Sequence, residues 1–151
     1  MIRRDSYKIL LIDDDPNCLD AIDQLMQRDG YETFPISEGI NAVKVIIEKS
    51  VDLAIVDFNL PDMDGLHVIQ QIKRTKPDIP VILMTAQPSQ EIKMASLKVG
   101  AYSFIPKPIN IPRFRQIVAE ALQSPTPSRM GNGEVRRNMV FVKWIRWIIH
   151  R

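Results

Sequence analysis

Five short apolar runs recur along this chain, and four of them stop at polar side chains with distinctive chemistry. Lys8–Ile12 leads into Asp13 and Asp14, Leu53–Val56 into Asp57, Val81–Met84 into Thr85, and Ser103–Pro106 into Lys107. Continuous apolar runs of this length are those of strands buried on both faces. The segments between them repeat their apolar residues at helical spacing, and strand–helix alternation of this kind demands right-handed crossovers and a parallel sheet. In an open parallel sheet the C-terminal strand ends share one edge, where such folds bind ligands. Three carboxylates, a hydroxyl and an ammonium would therefore meet there, a constellation suited to Mg²⁺ and a phosphoryl group.

The elements can be placed from local signals. Tyr7–Asp13 reads as the first strand. Asp15-Pro16 opens a helix whose apolar face is Leu19, Ile22, Leu25 and Met26, with Gly30 ending it. Tyr31–Pro35 reads as a second strand, and a helix over Gly39–Lys49 is expected to bury Ala42, Val43, Ile46 and Ile47. Asp52–Asp57 is the third strand. Asn59-Leu60-Pro61-Asp62-Met63-Asp64-Gly65 is turn chemistry leading into a helix with Leu66, Ile69 and Ile72 inside. Pro77 and Pro80 bracket the way to a fourth strand, Val81–Thr85. Ser89 caps a helix over Gln90–Val99 that Gly100 closes. Ser103–Pro106 is a fifth strand, and Ile111–Gln123 carries Phe114, Ile117, Val118, Ala121 and Leu122 on one stripe. The expected fold is α/β, a flavodoxin-like doubly wound sheet of order 2-1-3-4-5 with five helices; a barrel would need about 250 residues.

The 151 residues divide by charge and composition. Of the 20 Lys+Arg and 18 Asp+Glu, residues 125–151 hold six and one, leaving 14 and 17 for the preceding 124. An acidic domain (1–124, net −3) thus precedes a basic tail (125–151, net +5). Pro, Ser and Gly mark 125–134 as a linker, and 135–151 reads as an amphipathic tail helix with Lys143, Arg146 and His150 on a narrow stripe. The lone Cys18 rules out an internal disulfide and fits a reducing cytoplasm. No signal peptide is expected, and neither His67 nor His150 is placed to build a histidine metal site.

Mg²⁺ takes oxygen ligands, commonly one or two carboxylates with waters and a phosphate oxygen. Asp13, Asp14 and Asp57 supply carboxylates; left alone they would repel and raise one another's pKa values. A divalent ion and Lys107 would offset that repulsion and keep Asp57 ionised as a nucleophile. The phosphoryl oxygens need cationic and hydrogen-bonding partners in the transition state, which Lys107 and Thr85 can provide. Singly, each residue has an ordinary explanation, an Asp at a strand end as a cap and Thr85 as a β-branched strand residue. No such explanation covers all four strand ends at once.

These motifs resemble the receiver domain of two-component response regulators over about residues 7–123. The match lies in Ile9-Leu10-Leu11-Ile12-Asp13-Asp14-Asp15-Pro16, Asp57 through Gly65, Thr85-Ala86 and Lys107-Pro108. The resemblance implies that Asp57 accepts a phosphoryl group from a sensor histidine kinase or histidine phosphotransfer protein. It implies that Asp14, Asp57 and the Asn59 carbonyl ligate Mg²⁺, with Asp13 acting largely through water. Thr85 and Lys107 would read the phosphoryl group, and Phe104 would swing inward behind Thr85; from the residues alone, Phe104 is a core side chain. Output would pass through the fourth helix, fifth strand and fifth helix, about residues 90–123. Asn59 and Gln87 occupy positions that tune acyl-phosphate lifetime in relatives. Two departures stand out: Pro106 precedes Lys107-Pro108, and Ile109 follows where many members carry Phe.

The expected role is a phosphorylation switch signalling to a protein target, without enzymatic output. A constitutive adaptor or membrane-tethered scaffold, or the N-terminal part of a longer regulator, is the alternative. An aspartate-nucleophile phosphatase would need an acid two residues beyond Asp57, where Asn59 stands. The tail helix has three candidate roles: docking on its own receiver or a second copy as a homodimer, lying at a membrane surface, or beginning an output domain. DNA binding is disfavoured, because the tail leaves no room for a helix-turn-helix module.

Overall fold

The computed structural model describes residues 6–123. The linker and tail helix expected over 125–151 lie outside the described residues. A five-stranded parallel sheet of order β2-β1-β3-β4-β5 is built from β1 (Lys8–Ile12), β2 (Glu32–Ile36), β3 (Leu53–Asp57), β4 (Val81–Thr85) and β5 (Ser103–Pro106). The connecting helices are α1 (Pro16–Arg28), α2 (Ala42–Lys49), α3 (Gly65–Thr75), α4 (Gln90–Lys98) and α5 (Ile111–Gln123). The doubly wound fold and its strand order are those the sequence predicts.

Strict alternation along the central strands explains the two layers. Ile9 and Leu11 of β1, Leu53 and Ile55 of β3, and Ile82 and Met84 of β4 face one core with Ile22 and Met26 of α1 and the α5 stripe. Leu10, Ile12, Ala54, Val56, Val81 and Leu83 face the other core with α2 and α3. Each Val, Leu, Ile or Met among them, fully buried, contributes roughly 1.5–3 kcal/mol relative to exposure. The edge strands are less covered, and they carry the two strand prolines. Pro35 and Pro106 stand exposed on β2 and β5, where a missing N–H interrupts the ladder least.

The caps behave as their chemistry requires. Asp15 accepts from the Asn17 N–H at the start of α1, and Ser89 accepts from the Ile92 N–H at the start of α4. Gly100 follows α4 with φ +97°, a conformation that suits glycine.

Four local expectations are corrected. The predicted 39–49 helix is split into a 3₁₀ turn, η1 (Gly39–Asn41), followed by α2. Its buried stripe reduces to Ala42 and Ile46; Val43 is half-buried and Ile47 is 54% exposed. An i,i+4 pair suffices for so short a helix, and Ile47 sits about 100° away from Ile46 around the axis. On α3, Val68 is fully buried beside Ile69 and Ile72, while Leu66 is half-buried. Strand 2 starts and ends one residue later than predicted. No helix of the described residues is long and apolar enough to cross a membrane.

Candidate functional site

The parallel register sets the site. Asp57 closes β3, paired with Met84 of β4 and one residue beyond Val56, whose partner is Ile12 at the end of β1. Asp13 follows Ile12 directly, and its N–H donates to the Ile36 carbonyl at 3.2 Å, tying the end of β1 to the end of β2. Asp13, Asp14 and Asp57 present carboxylate oxygens all within 4.8 Å of one another. Asp13 and Asp57 are buried, and Asp14 is exposed.

Lys107 closes the cluster from β5. Its Nζ donates to Asp13 Oδ2 at 2.7 Å and lies 3.1 Å from Asp57 Oδ1. Its backbone N–H donates to the Thr85 carbonyl at 2.7 Å, which fixes where the side chain departs. The Lys107–Pro108 peptide is cis. Asp13 Oδ1 accepts from the Asp15 N–H at 3.0 Å, so both Asp13 oxygens already have donors.

The electrostatics follow from crowding. Burial pushes the Asp57 carboxyl above the ordinary carboxylate value; Asp13 and, less strongly, Asp14 add to this, against Lys107. Burial alone would depress Lys107, but its contacts with Asp13 and Asp57 outweigh it and hold the ammonium above its usual value. One ammonium thus faces three carboxylates. That surplus of negative charge, on hard oxygen donors, is what a divalent cation neutralises, so the residues present fit Mg²⁺.

The loop from Phe58 to Asp64 is closed tightly beside this cluster. The Gly65 N–H donates to the Phe58 carbonyl at 2.7 Å, and Asn59 and Asp64 form an isolated antiparallel bridge. A Cβ on Gly65 would come within 2.6 Å of the Asp57 carbonyl oxygen and 2.8 Å of Leu83 Cδ1. Any side chain there would push the strand that carries Asp57. Asp64 caps α3 through the His67 N–H at 2.8 Å.

The remaining predicted residues are arranged differently. Thr85 is fully buried, and its hydroxyl accepts from the Gln87 N–H at 3.1 Å within its own loop. Phe104 is half-buried against the core that contains Leu83, its partner across β4–β5. The structure therefore assembles Asp13, Asp14, Asp57 and Lys107, with Asn59 on the adjoining loop, and holds Thr85 and Phe104 in contacts of their own.

Two residues at the site escaped the sequence reading. Cys18, on the first turn of α1, lies against Asp13 and Lys107; burial foremost, then Asp13, raises its thiol to about 11. At neutral pH it is a protonated, poorly nucleophilic thiol. Asp62 accepts from the backbone N–H groups of Gly39 and Ile40, and the Gly39 bond foremost holds its carboxyl below the usual value. In sequence it was one residue of a turn.

Comparison with known proteins agrees with this geometry. Residues 9–119 match the family described as response regulator receiver domain. The chain is 30% identical over 115 residues to sporulation initiation phosphotransferase F of Bacillus subtilis, covering 76% of this chain and 93% of that protein. It is 31% identical over 120 residues to the transcriptional regulatory protein GlrR of Escherichia coli, covering 80% of this chain but 27% of that one. This chain thus spans about a quarter of the length of such regulators. A CheY-like receiver domain protein from Methanospirillum hungatei superposes with TM-score 0.75 at 30% identity, covering 78% of this chain and 94% of the other. On its fold, its strand-end carboxylates and these matches, the chain belongs to the response regulator receiver domain family.

Proposed function

We propose that this protein is a phosphorylation switch in which Asp57 is the phosphoacceptor. The observation that carries the reading is the buried Asp57 carboxylate, held 3.1 Å from Lys107 Nζ beside Asp13 and Asp14. The donor is a phosphohistidine on a sensor histidine kinase or a histidine phosphotransfer protein. A carboxylate oxygen of Asp57 forms the new O–P bond as the P–N bond breaks, and the leaving imidazole takes up a proton. Asp14, Asp57 and the Asn59 carbonyl would hold Mg²⁺, with Asp13 contributing through water. When bound, the ion supplies neutralisation of the phosphoryl oxygens and of the crowded carboxylates.

Lys107 keeps Asp57 ionised and afterwards pairs with the transferred group. Thr85 exchanges its bond from Gln87 for one to the phosphoryl group, and Phe104 follows into the space behind it. This is a two-state change biased by new charge-assisted hydrogen bonds. Its output leaves through α4, β5 and α5 to a protein partner. Met94 and Leu97 of α4 support that choice of surface: they are apolar side chains 53% and 47% exposed. The protein's role is regulatory.

Incubation with a small acyl-phosphate donor and Mg²⁺ tests the reading. A hydroxylamine-labile phosphoryl adduct is expected on the wild-type chain, absent in Asp57→Asn and absent when the cation is chelated. A folded, cation-binding chain that takes up no phosphoryl group would contradict it.

A further inference from the structure

The loop that carries Asn59 is fastened at its far end to a segment on the opposite side of β1. Asp62 Oδ1 accepts from the Gly39 N–H at 3.0 Å, and Asp62 Oδ2 accepts from the Ile40 N–H at 2.8 Å. These are the first donors of η1, whose own N-cap residue, Glu38, makes no side-chain cap bond. A carboxylate 22 to 23 positions away therefore does the capping. Both oxygens are used, so the contact fixes direction as well as distance.

The two segments also touch closely. Gly39 is buried, and a Cβ there would stand 2.6 Å from Val68 Cγ2 and 2.9 Å from Met63 Cγ. On the near side, Ile36 at the end of β2 accepts the Asp13 N–H. The strap thus closes a ring: Asp13 to Ile36, along the chain to Gly39 and Ile40, across to Asp62, and back through the Asn59 loop to Asp57. Every residue in the expected cation set lies on that ring or next to it.

We infer that Asp62 is a positioning residue for the divalent-cation site, presetting the Asn59 loop against Asp13 and Asp14 without itself touching the ion. The inference rests on the cation-binding reading above. Supporting partners of metal ligands commonly contribute 10–100-fold to affinity. Linkage adds a reciprocal consequence: a cation that favours the fastened loop must also slow opening of the Gly39 and Ile40 N–H groups.

The test uses the full chain with Asp62→Ala and Asp62→Asn, the second keeping the shape and one acceptor. Free Mn²⁺ is counted by electron paramagnetic resonance, and amide exchange at residues 39 and 40 is followed with and without Mg²⁺. Asp62→Ala should bind Mn²⁺ about tenfold more weakly and Asp62→Asn by an intermediate factor. Mg²⁺ should protect the two amides in the wild type and not in Asp62→Ala. Wild-type Mn²⁺ affinity in both variants, with the two amides exchanging freely, would overturn the strap. A wild-type chain that binds no Mn²⁺ would instead overturn the cation reading on which it stands.

Discussion

The two halves of the sheet edge are built to different standards. On the β1–β3 side, Asp13 and Asp57 are buried, close, and bonded to a lysine that reaches across from β5. On the β4–β5 side, Thr85 spends its hydroxyl on Gln87, and Phe104 is only partly covered. The first half is assembled in advance of any chemistry and carries an electrostatic cost, the raised carboxyl of Asp57. The second half is satisfied locally. On the proposed switch, preorganisation of the first half would serve the transfer, and a second arrangement of the other half would serve the signal.

Removing the link between the halves should have the largest effect on the fold. Lys107→Ala leaves Asp13 and Asp57 facing each other without a cation, and should cost on the order of 3 kcal/mol in urea unfolding. Added Mg²⁺ should recover part of that loss. If Lys107→Ala unfolds at the wild-type urea concentration, the ammonium does not hold the acidic half together.

Asp57→Asn should act in the opposite direction. A carboxyl whose folded pKa is raised binds its proton more tightly when folded. Stability of the cation-free wild type therefore falls as pH rises from the ordinary carboxylate value through the raised one. The amide should flatten that slope and raise the neutral-pH melting temperature by a few degrees without Mg²⁺. Saturating Mg²⁺ should narrow the gap, and calorimetry across the acidic range would show each of these signs.

The smallest effect on stability is expected on the reporting side. Thr85→Val replaces the hydroxyl with a methyl of similar shape and should cost about 1 kcal/mol. Phosphoryl uptake on Asp57 should persist in the variant. The accompanying change in amide exchange over β5 and α4 should be lost. If that change persists, Thr85 is not what couples the halves.

The contrast also explains what was readable in advance. The fourth strand and the α5 stripe were legible because Pro77, Pro80 and helical periodicity mark them locally, and the strand order because length and strand–helix alternation fit a doubly wound sheet. The acidic cluster was legible because each member directly follows an apolar run, and a parallel sheet gathers such ends whatever their separation. Asp62 was not, because its partners lie 22 to 23 positions away and its neighbours already explain it as a turn. The 3₁₀ start ahead of α2 was equally hidden, since the Gly39 and Ile40 N–H groups find their acceptor in Asp62. Val68 and Ile47 depend on which neighbour covers each helix face, and helical spacing alone does not choose between adjacent apolar residues.

The central claim, that Asp57 is the acceptor, is tested most directly by trapping the adduct. After reaction with a small acyl-phosphate donor and Mg²⁺, borohydride reduces an aspartyl phosphate to homoserine, which peptide mass spectrometry locates. Homoserine at position 57 and at no other aspartate, formed only when Mg²⁺ is present, is the predicted result. Homoserine at Asp13, Asp14 or elsewhere, or none in a chain that remains folded and binds the cation, would contradict the account.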